Sequence, residues 1–424
     1  PRGAEDAIAQ ILTRQTSGGG FGLWSAEPGD RWLDAYVTDF LSRARAAGHE
    51  VPDQPFRNAL ANLQNGLNMA AEPQFADADE NAATAYAAYV LAREHAAVIS
   101  DLRYYADTGA EGFASPLAAA QLGAALAAYG DSLRADAMFA RAQALSDEGR
   151  DPQDRLRGDY GTLIRDRAGM LALAAESGSR AVDRDRVATQ LSAQIAGRQA
   201  QGAPLSPQEA VWTVLAGQAL MTGADAGGGL TLSEAALDVP IQDLGDAGAL
   251  PPVVLGNIRP APVEVTIGAT AVPATAPLAG GTAFAITRRY FTPEGQPLDP
   301  AQVPLGTRMV AVIEVRPFGP ADGRLIVADP LPAGFEIDNP NLLAAGEVAG
   351  LDWLGGIERA DMAEFRQDRF AAAVTLFGTD PVRLAYRLRA VTPGTFHHPA
   401  ATVEDMYRPD RRGWTDSGTT AITP

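Results

Sequence analysis

The stretch GGGFGLWSAEPGDRWLDAYVTDFLSRA, residues 18–44, decides the fold predicted for the first half of the chain. Glycine lets a backbone turn where a side chain would clash, and Phe21 and Trp24 are large enough to anchor this turn to a core. Asp30 is expected to cap the helix that follows. The apolar residues of that helix recur on one face: Trp32, Leu33, Tyr36, Val37, Phe40 and Leu41. The stretch therefore predicts a helical hairpin of an α/α toroid or solenoid.

Similar helical patterns continue to about residue 223. Predicted helices cover residues 5–14, 31–47, 53–69, 80–107, 116–129, 132–147, 159–177, 181–200 and 207–222. Ser206-Pro207-Gln208-Glu209 is a capping box with proline at the first helical position. Glycines stand where the C-caps of helices belong: Gly48, Gly109, Gly130 and Gly178. Helix pairs that recur every ~40 to 50 residues predict a toroid in which each hairpin packs on its neighbours.

The pattern changes at Gly227-Gly228-Gly229, after which β-branched alternation replaces the helical period. Short alternating runs separated by prolines and glycines are typical of antiparallel β-sandwiches. They cover residues 263–267, 284–287, 309–315, 325–328, 372–376 and 382–388. We therefore predict a multidomain protein, first α and then β. A partial α/α toroid would occupy residues 1–225, part of a β-domain 226–275, and a terminal sandwich 276–424.

Composition excludes several kinds of chemistry. The chain carries 52 acidic and 34 basic residues, a net charge of −18, which argues against nucleic acid or an anionic membrane as partner. All the basic residues are Arg and there is no Cys, so lysine chemistry, disulfides and thiolate ligands are excluded from these residues. No run of about 18 apolar residues is present. Because the sequence begins with Pro1, we expect it to be part of a longer chain.

Four motifs resemble the α2-macroglobulins, and in particular their bacterial branch. The first is the glycine–aromatic turn with its helix, marked by Gly19, Phe21, Gly22, Trp24, Trp32 and Tyr36. The others are FAITRRYF at 284–291, VADPLPAGF at 327–335 and VEDMYRPD at 403–410. Their order also agrees with that family, in which a thioester-domain toroid is inserted into a small CUB-like β-domain and a macroglobulin-type sandwich follows.

The resemblance implies a protein that is not an enzyme. Members of the family are broad-range protease traps, in which cleavage of an upstream bait region unmasks a Cys–Gln thioester that couples to the attacking protease. In this chain, the resemblance implies that Met406 and Tyr407 cover the thioester from water. It implies no metal and no cofactor. It further implies target proteases and a peptidoglycan synthase of the cell envelope as partners, a monomer, and a periplasmic location with an N-terminal anchor in the inner membrane.

The sequence departs from the family pattern in two places. The thioester motif Cys-x-Glu-Gln is absent, and we expect it upstream of Pro1. Complement-type members also carry a histidine that steers transfer towards hydroxyl groups, and none lies between Gln64 and Tyr89, where we place it. The second departure favours direct capture of amines, which in a protease are lysine side chains.

Other interpretations of the same residues stay open. Met406 and Tyr407 also fit a strand that ends in a turn, with the tyrosine as a packing aromatic. Asp77 and Asp79 resemble the proton-donating aspartates of a cyclase, although acids at a helix start are commonly caps. The histidines lack metal-ligand spacing: His49, His95, His397 and His398. The alternatives for the whole chain are an envelope macroglobulin without a thioester and an α/α-toroid enzyme of cyclase or glycosidase type.

Overall fold

The computed structural model describes most of the chain. The described residues are 2–149, 157–221, 229–237, 242–246, 252–258, 263, 265, 267–268, 271, 274–337, 353–354 and 360–424. Within these ranges, ten α-helices precede seventeen strands, most of which pair antiparallel. The predicted fold class, helical first and then antiparallel β, is confirmed. None of the helices in the same ranges is both long enough and apolar enough to cross a membrane.

The helices form two layers. Their bounds are α1 Arg2–Leu12, α2 Arg31–Ala46, α3 Asp53–Asn68, α4 Ala78–Arg93, α5 Ile99–Thr108, α6 Pro116–Ala128, α7 Ser132–Glu148, α8 Leu163–Glu176, α9 Arg184–Ala200 and α10 Pro207–Met221. The inner layer runs α2, α4, α6, α8, α10, and each of these helices contacts the next. The helices α3, α5, α7 and α9 pack against the inner layer from outside. This is the arc of paired helices predicted for part of a toroid.

Alanine lets the inner helices pack closely. In α6 the buried residues cover every face of the helix, so that it is apolar all round rather than amphipathic. Small side chains make this burial possible without voids or clashes. The buried alanines of α6 are Ala118, Ala119, Ala120, Ala124 and Ala125.

Two predicted helix boundaries are wrong. The helix predicted over 80–107 is two helices, α4 and α5, because His95 has a left-handed φ of 56° and the amides of Ala96 and Ala97 bond back to the carbonyl of Leu91. The helix predicted from 159 begins at Leu163. Tyr160 has a φ of 52°, which a helix does not allow.

Most predicted caps are present. The Leu33 amide donates to Asp30 Oδ1 at 2.6 Å. In the capping box, the Ser206 amide donates to Glu209 Oε2 at 2.7 Å, and the Glu209 amide donates to Ser206 Oγ at 3.3 Å. Gly48, Gly130 and Gly178 have the positive φ of helix C-caps. Gly109 is the C-cap of α5, as predicted, and its φ is −116°.

The strands form four sheets. A small sheet, order β2-β1-β3, contains β1 Leu230–Leu232, β2 Ala235–Ala236 and β3 Leu255–Asn257. The later strands are β4 Gly280–Gly281, β5 Phe284–Phe291, β6 Pro297–Leu298, β7 Gln302–Pro304, β8 Arg308–Pro317, β9 Ala321–Pro330, β10 Phe335–Ile337, β11 Met362–Phe365, β12 Arg369–Gly378, β13 Val382–Ala390, β14 Gly394–His398, β15 Thr402–Asp405, β16 Arg412–Trp414 and β17 Gly418–Thr423. Their orders are β10-β13-β8-β5-β6, β11-β12-β9-β15-β16-β4 and β14-β17-β7, and β17 pairs with β7 in parallel.

The two larger sheets enclose one core. Along β9, buried residues alternate with half-buried ones, as a strand with one face in a core requires. Residues such as Phe284, Leu325 and Tyr386 meet in that core, which is separate from the core of the helices. The predicted strand at 263–267 and the boundary near 225 lie wholly or partly outside the described residues. The boundaries at 225 and 275 therefore stay predictions.

Candidate functional site

The glycine–aromatic turn packs against α3. Gly19 has a φ of 94°, and a Cβ added there would lie 2.1 Å from the carbonyl oxygen of Asn58. A Cβ added at Gly22 would lie 2.0 Å from the carbonyl oxygen of Ser25. Only glycine fits such close approaches. Phe21 is buried in a small core with residues of α1, α2 and α3, as predicted.

Trp24 does not anchor the turn to a core. Its side chain is half-buried and lines an open cleft between the turn and the β-sandwich. The prediction that Trp24 packs the turn onto a core is therefore wrong. The chain can leave this side chain at an edge because the buried Phe21 already fixes the turn.

The helix α2 is buried more widely than one stripe. Leu33, Tyr36 and Val37 are half-buried, whereas polar residues on the other side are buried: Asp34, Thr38, Asp39 and Ser42. Because α2 is an inner helix, neighbours cover both of its sides. The stripe pattern gave no sign of this burial.

Asp34 fixes the turn to α2. It accepts from the Phe21 amide at 2.6 Å and from Asn62 Nδ2 at 2.7 Å. Burial raises the pKa of Asp34, and these two hydrogen bonds oppose that rise. The Asp34 carboxylate thus supplies the hydrogen-bond acceptor that the buried amide of Phe21 needs.

Aromatic rings line the start of the inner layer. Trp32 stacks on Tyr36 with ring centroids 5.3 Å apart, and it meets Tyr86 and Tyr160 edge to face at 5.4 and 5.6 Å. The guanidinium carbon of Arg165 lies 5.5 Å from the Trp32 ring. These offset and edge contacts are the arrangements that aromatic quadrupoles favour.

Met406 and Tyr407 lie in a turn directly after β15. The buried Asp405 accepts from the amides of Tyr407 and Arg408 at 3.0 and 3.1 Å, and from Arg408 Nε at 2.9 Å. The Met406 amide donates to the carbonyl of Arg324 on β9 at 2.9 Å. The turn is therefore held at both sides. An Asx turn of this type was the signal in the sequence VEDMYR that could have identified Asp405.

Tyr407 crosses from the sandwich into the helical region. Its ring packs against the core of the helices and lies 4.8 Å, centroid to centroid, from the ring of Tyr160. Burial is the main cause that raises the pKa of Tyr407, so the phenol stays protonated at neutral pH. Tyr160 thus stands between Tyr407 and Trp32 and continues one run of aromatic contacts.

The two sequence motifs meet at one cleft of about 680 Å³. Its lining includes Gly22, Trp24, Asp30, Tyr160, Arg324 and Met406. Sequence reasoning identified the turn and the Met–Tyr pair but not Tyr160 or Arg324, which join them. Tyr160 lies in the loop segment GDYG, and Arg324 is one arginine among many on alternating strands. Neither residue carries a pattern that predicts the contact.

The remaining candidates take structural positions. Asp77 accepts from the Glu80 amide at 2.9 Å, which confirms the helix cap. His397 is exposed and His398 is buried on the same strand, on opposite faces as predicted. Within the described ranges, no three His, Cys, Asp or Glu side chains are grouped to hold a metal ion.

These features define a class of protein, in which a tyrosine of a terminal β-sandwich packs against the core of a layered helical domain. Residues 284–410 match the family model of the bacterial alpha-2-macroglobulin MG10 domain. The alpha-2-macroglobulin of Xylella fastidiosa strain Temecula1 is 31% identical over 432 residues, which cover 96% of this chain and 26% of that protein. The chain belongs to the bacterial alpha-2-macroglobulin family.

Solved structures agree with this assignment. The native Escherichia coli alpha-2-macroglobulin, reconstructed by cryo-EM, is similar with a TM-score of 0.81 and 28% identity, over 99% of this chain and 27% of that one. Salmonella alpha-2-macroglobulin reacted with methylamine is similar with a TM-score of 0.78 and 29% identity, over 98% and 27%. The chain thus spans about a quarter of the length of the curated relatives it matches.

Proposed function

We propose that these residues are the part of a protease-trapping inhibitor that holds and shields a thioester, through which attacking proteases are captured covalently. The observation that carries the proposal is the position of Tyr407. This sandwich residue packs its ring against the core of the helices, beside Tyr160. In such a protein, separation of the sandwich from the helices removes the ring and opens whatever the ring covers.

The chemistry of a thioester explains why the cover matters. A thioester reacts with water unless the site excludes it. Tyr407 is a broad apolar ring, and Met406 is a flexible thioether that fills irregular space beside it. Their turn is fixed by Asp405, which bonds two consecutive amides after Met406. The pair is therefore suited to act as a rigid cover rather than as a reactive group.

The relatives support a reaction with amines. The Salmonella protein has a solved structure after reaction with methylamine, a small primary amine. We propose the same reactivity for the full-length protein to which these residues belong, with protease lysines as the natural nucleophiles. Proteases as targets, a periplasmic location and an anchor in the inner membrane are part of this proposal. The peptidoglycan synthase and the monomeric state stay predictions.

The test is the lifetime of the thioester in the full-length protein. Tyr407→Gly removes the ring, and we expect thiol release in buffer and in methylamine to be faster by about tenfold or more, because one buried aromatic contributes that much to closing a site. Phe318→Gly removes an exposed ring from the same sandwich and is the matched control. Thiol release is measured with a chromogenic disulfide, and protease capture by conjugates that survive denaturing gels.

Two results would contradict the proposal. If the wild-type protein releases no thiol with methylamine and forms no conjugate with trypsin, covalent trapping is wrong, and the protein is a macroglobulin without a thioester. If Tyr407→Gly releases thiol no faster than Phe318→Gly, the thioester is present but Tyr407 does not shield it.

A further inference from the structure

We infer that Asp30, Tyr160 and Arg324 form a latch that holds Tyr407 in place and sets how readily the sandwich separates from the helices. The three residues are positioning residues, and the inference rests on the proposed function. The latch joins three segments far apart in the sequence: the start of α2, the loop before α8, and strand β9.

Arg324 is the sandwich part of the latch. Its backbone carbonyl accepts from the Met406 amide at 2.9 Å, so it fixes the start of the Met–Tyr turn. Its guanidinium carbon lies 4.6 Å from the centroid of the Tyr160 ring. The same guanidinium interacts with the hydroxyls of Tyr160 and Tyr407. One half-buried cation therefore lies over the ring of Tyr160 and also interacts with the hydroxyl of Tyr407, and the cation–aromatic contact strengthens as water is excluded.

Tyr160 is the central part of the latch. Its φ of 52° is rare for a side chain of this size, and strained residues of this kind persist where the surroundings fix them. Here a buried ion network fixes the loop. The Asp159 carboxylate accepts hydrogen bonds from Arg157 Nη2 and Arg165 Nη2, each at 2.6 Å. It also accepts a hydrogen bond from the Gly161 amide at 3.2 Å. This network therefore holds the ring of Tyr160 between Tyr407 and Trp32.

Asp30 ties the latch to α2. It accepts a hydrogen bond from the Tyr160 hydroxyl through Oδ2, while Oδ1 caps α2 through the Leu33 amide. A movement of Arg324 away from Tyr160 therefore frees the ring at one side and leaves Asp30 as its remaining polar partner. This dependence makes Arg324 a residue that couples the two domains.

A second contact between the domains lacks these properties. Asp410 pairs with Arg198 of α9 at 2.9 Å, but the Asp410 side chain is 52% exposed. Exposed ion pairs are screened and contribute little. Arg198 also keeps a pair with the buried Glu209 at 2.7 Å. Asp410→Asn thus removes a contact between the domains without disturbing a core, and it is the matched control.

The experiment compares Arg324→Met, Arg324→Lys, Tyr160→Phe and Asp410→Asn in the full-length protein. Two readouts are used: thiol release in methylamine, and amide hydrogen exchange of the peptide 403–410. We expect Arg324→Met to raise both rates by about tenfold, because it removes a partly desolvated cation–aromatic contact. Arg324→Lys is expected to raise both rates less than Arg324→Met, because lysine keeps the charge but lacks the planar guanidinium. Tyr160→Phe raises both rates less than Arg324→Met, and Asp410→Asn changes them by less than about twofold.

The two readouts separate failure of the latch from failure of the proposed function. If wild type releases no thiol, the proposed function is wrong, and exchange of peptide 403–410 still tests the latch. If Arg324→Met exchanges no faster than Asp410→Asn, the latch is wrong whether or not a thioester is present. The melting temperature of each variant identifies general destabilisation. If a latch variant exchanges fast throughout the sandwich, and not only at 403–410, this result also overturns the latch.

Discussion

The helical region and the β-sandwich both bury charges, but they use them differently. In the helices, Arg165 is fully buried and lies 2.6 Å from Asp159 and 2.8 Å from Asp166. In the sandwich, the buried Asp329 pairs with Arg288 and accepts from the Tyr386 hydroxyl at 2.7 Å. Charges in such places are stable only when they are paired and hydrogen-bonded.

The location of each network shows what it does. Arg288 is on β5 and Asp329 on β9, so the sandwich network joins the two sheets of one domain. The network of the helices fixes the loop that carries Tyr160, the residue that meets the other domain. A buried ion network can therefore hold a domain together or present a residue outside it. Substitutions in each region test this difference.

The largest effect is expected for Arg165→Met. It leaves Asp159 and Asp166 buried with fewer cations, and breaking a buried pair in this way costs about 3–5 kcal/mol. At present Arg165 and Arg157 hold the pKa of Asp159 at about 2, although burial alone would raise it. Hydrogen exchange of α8 in the intact protein measures the loss.

The control for Arg165→Met is Arg103→Met, which removes a half-exposed arginine from Asp131 and leaves that carboxylate paired with Arg134. We expect exchange of α8 to be unchanged in this variant. If the two networks act independently, Arg165→Met also leaves hydrogen exchange in β8 and β13 of the sandwich unchanged. Equal losses in helices and strands would show that the two networks stabilise one cooperative unit.

The next effect is a pH dependence that belongs to the sandwich alone. His398 Nε2 lies 2.9 Å from the Tyr290 hydroxyl, and burial, with Arg288 and His397 nearby, lowers the pKa of His398 to about 4. The unfolded chain binds this proton near pH 6.5, whereas the folded sandwich does not. Stability from His398 is therefore complete above about pH 6.5 and is lost as the pH falls towards 4.

Calorimetry of the wild type and of His398→Gln checks this prediction. A pKa of about 4 in place of 6.5 corresponds to about 3 kcal/mol of stability, lost between pH 6.5 and 4. The glutamine keeps an amide near Tyr290 but does not titrate. We expect the sandwich transition of the variant to depend less on pH by that amount, and parallel curves for the two proteins would refute the assignment.

Sequence patterns predicted the fold well where one local rule determines the structure. The capping box at Ser206 and the alternation of β9 appeared at the predicted positions. The break at His95 was missed because a left-handed histidine leaves the helical pattern on both sides intact. Local propensity cannot separate one long helix from two that meet at such a residue.

The sequence predicted two separate parts of the site but not the contact between them. The sequence supplied the turn at Gly19 and the pair Met406–Tyr407, but not Tyr160 or Arg324, through which they meet. Contacts between residues about 80 to 250 positions apart depend on how two domains dock, and no local pattern encodes that. The burial of Asp34 was missed for a related reason: α2 has neighbours on both sides only in the assembled layers.

The smallest effect concerns one cap and tests whether the two regions respond independently. Ser206→Ala removes the oxygen that accepts from the Glu209 amide at 3.3 Å, and a lost N-cap costs about 1 kcal/mol. Glu209 keeps its pair with Arg198, so the contact from Arg198 to Asp410 of the sandwich stays intact. We therefore expect faster hydrogen exchange at the start of α10, and an unchanged exchange rate in β15 and β16.

The control is Ser100→Ala, which changes an exposed serine of α5 that does not cap the helix. Faster exchange in β15 would mean that the cap, through Glu209 and Arg198, helps to hold the sandwich, and the separation between the two regions would then be incomplete at this second contact.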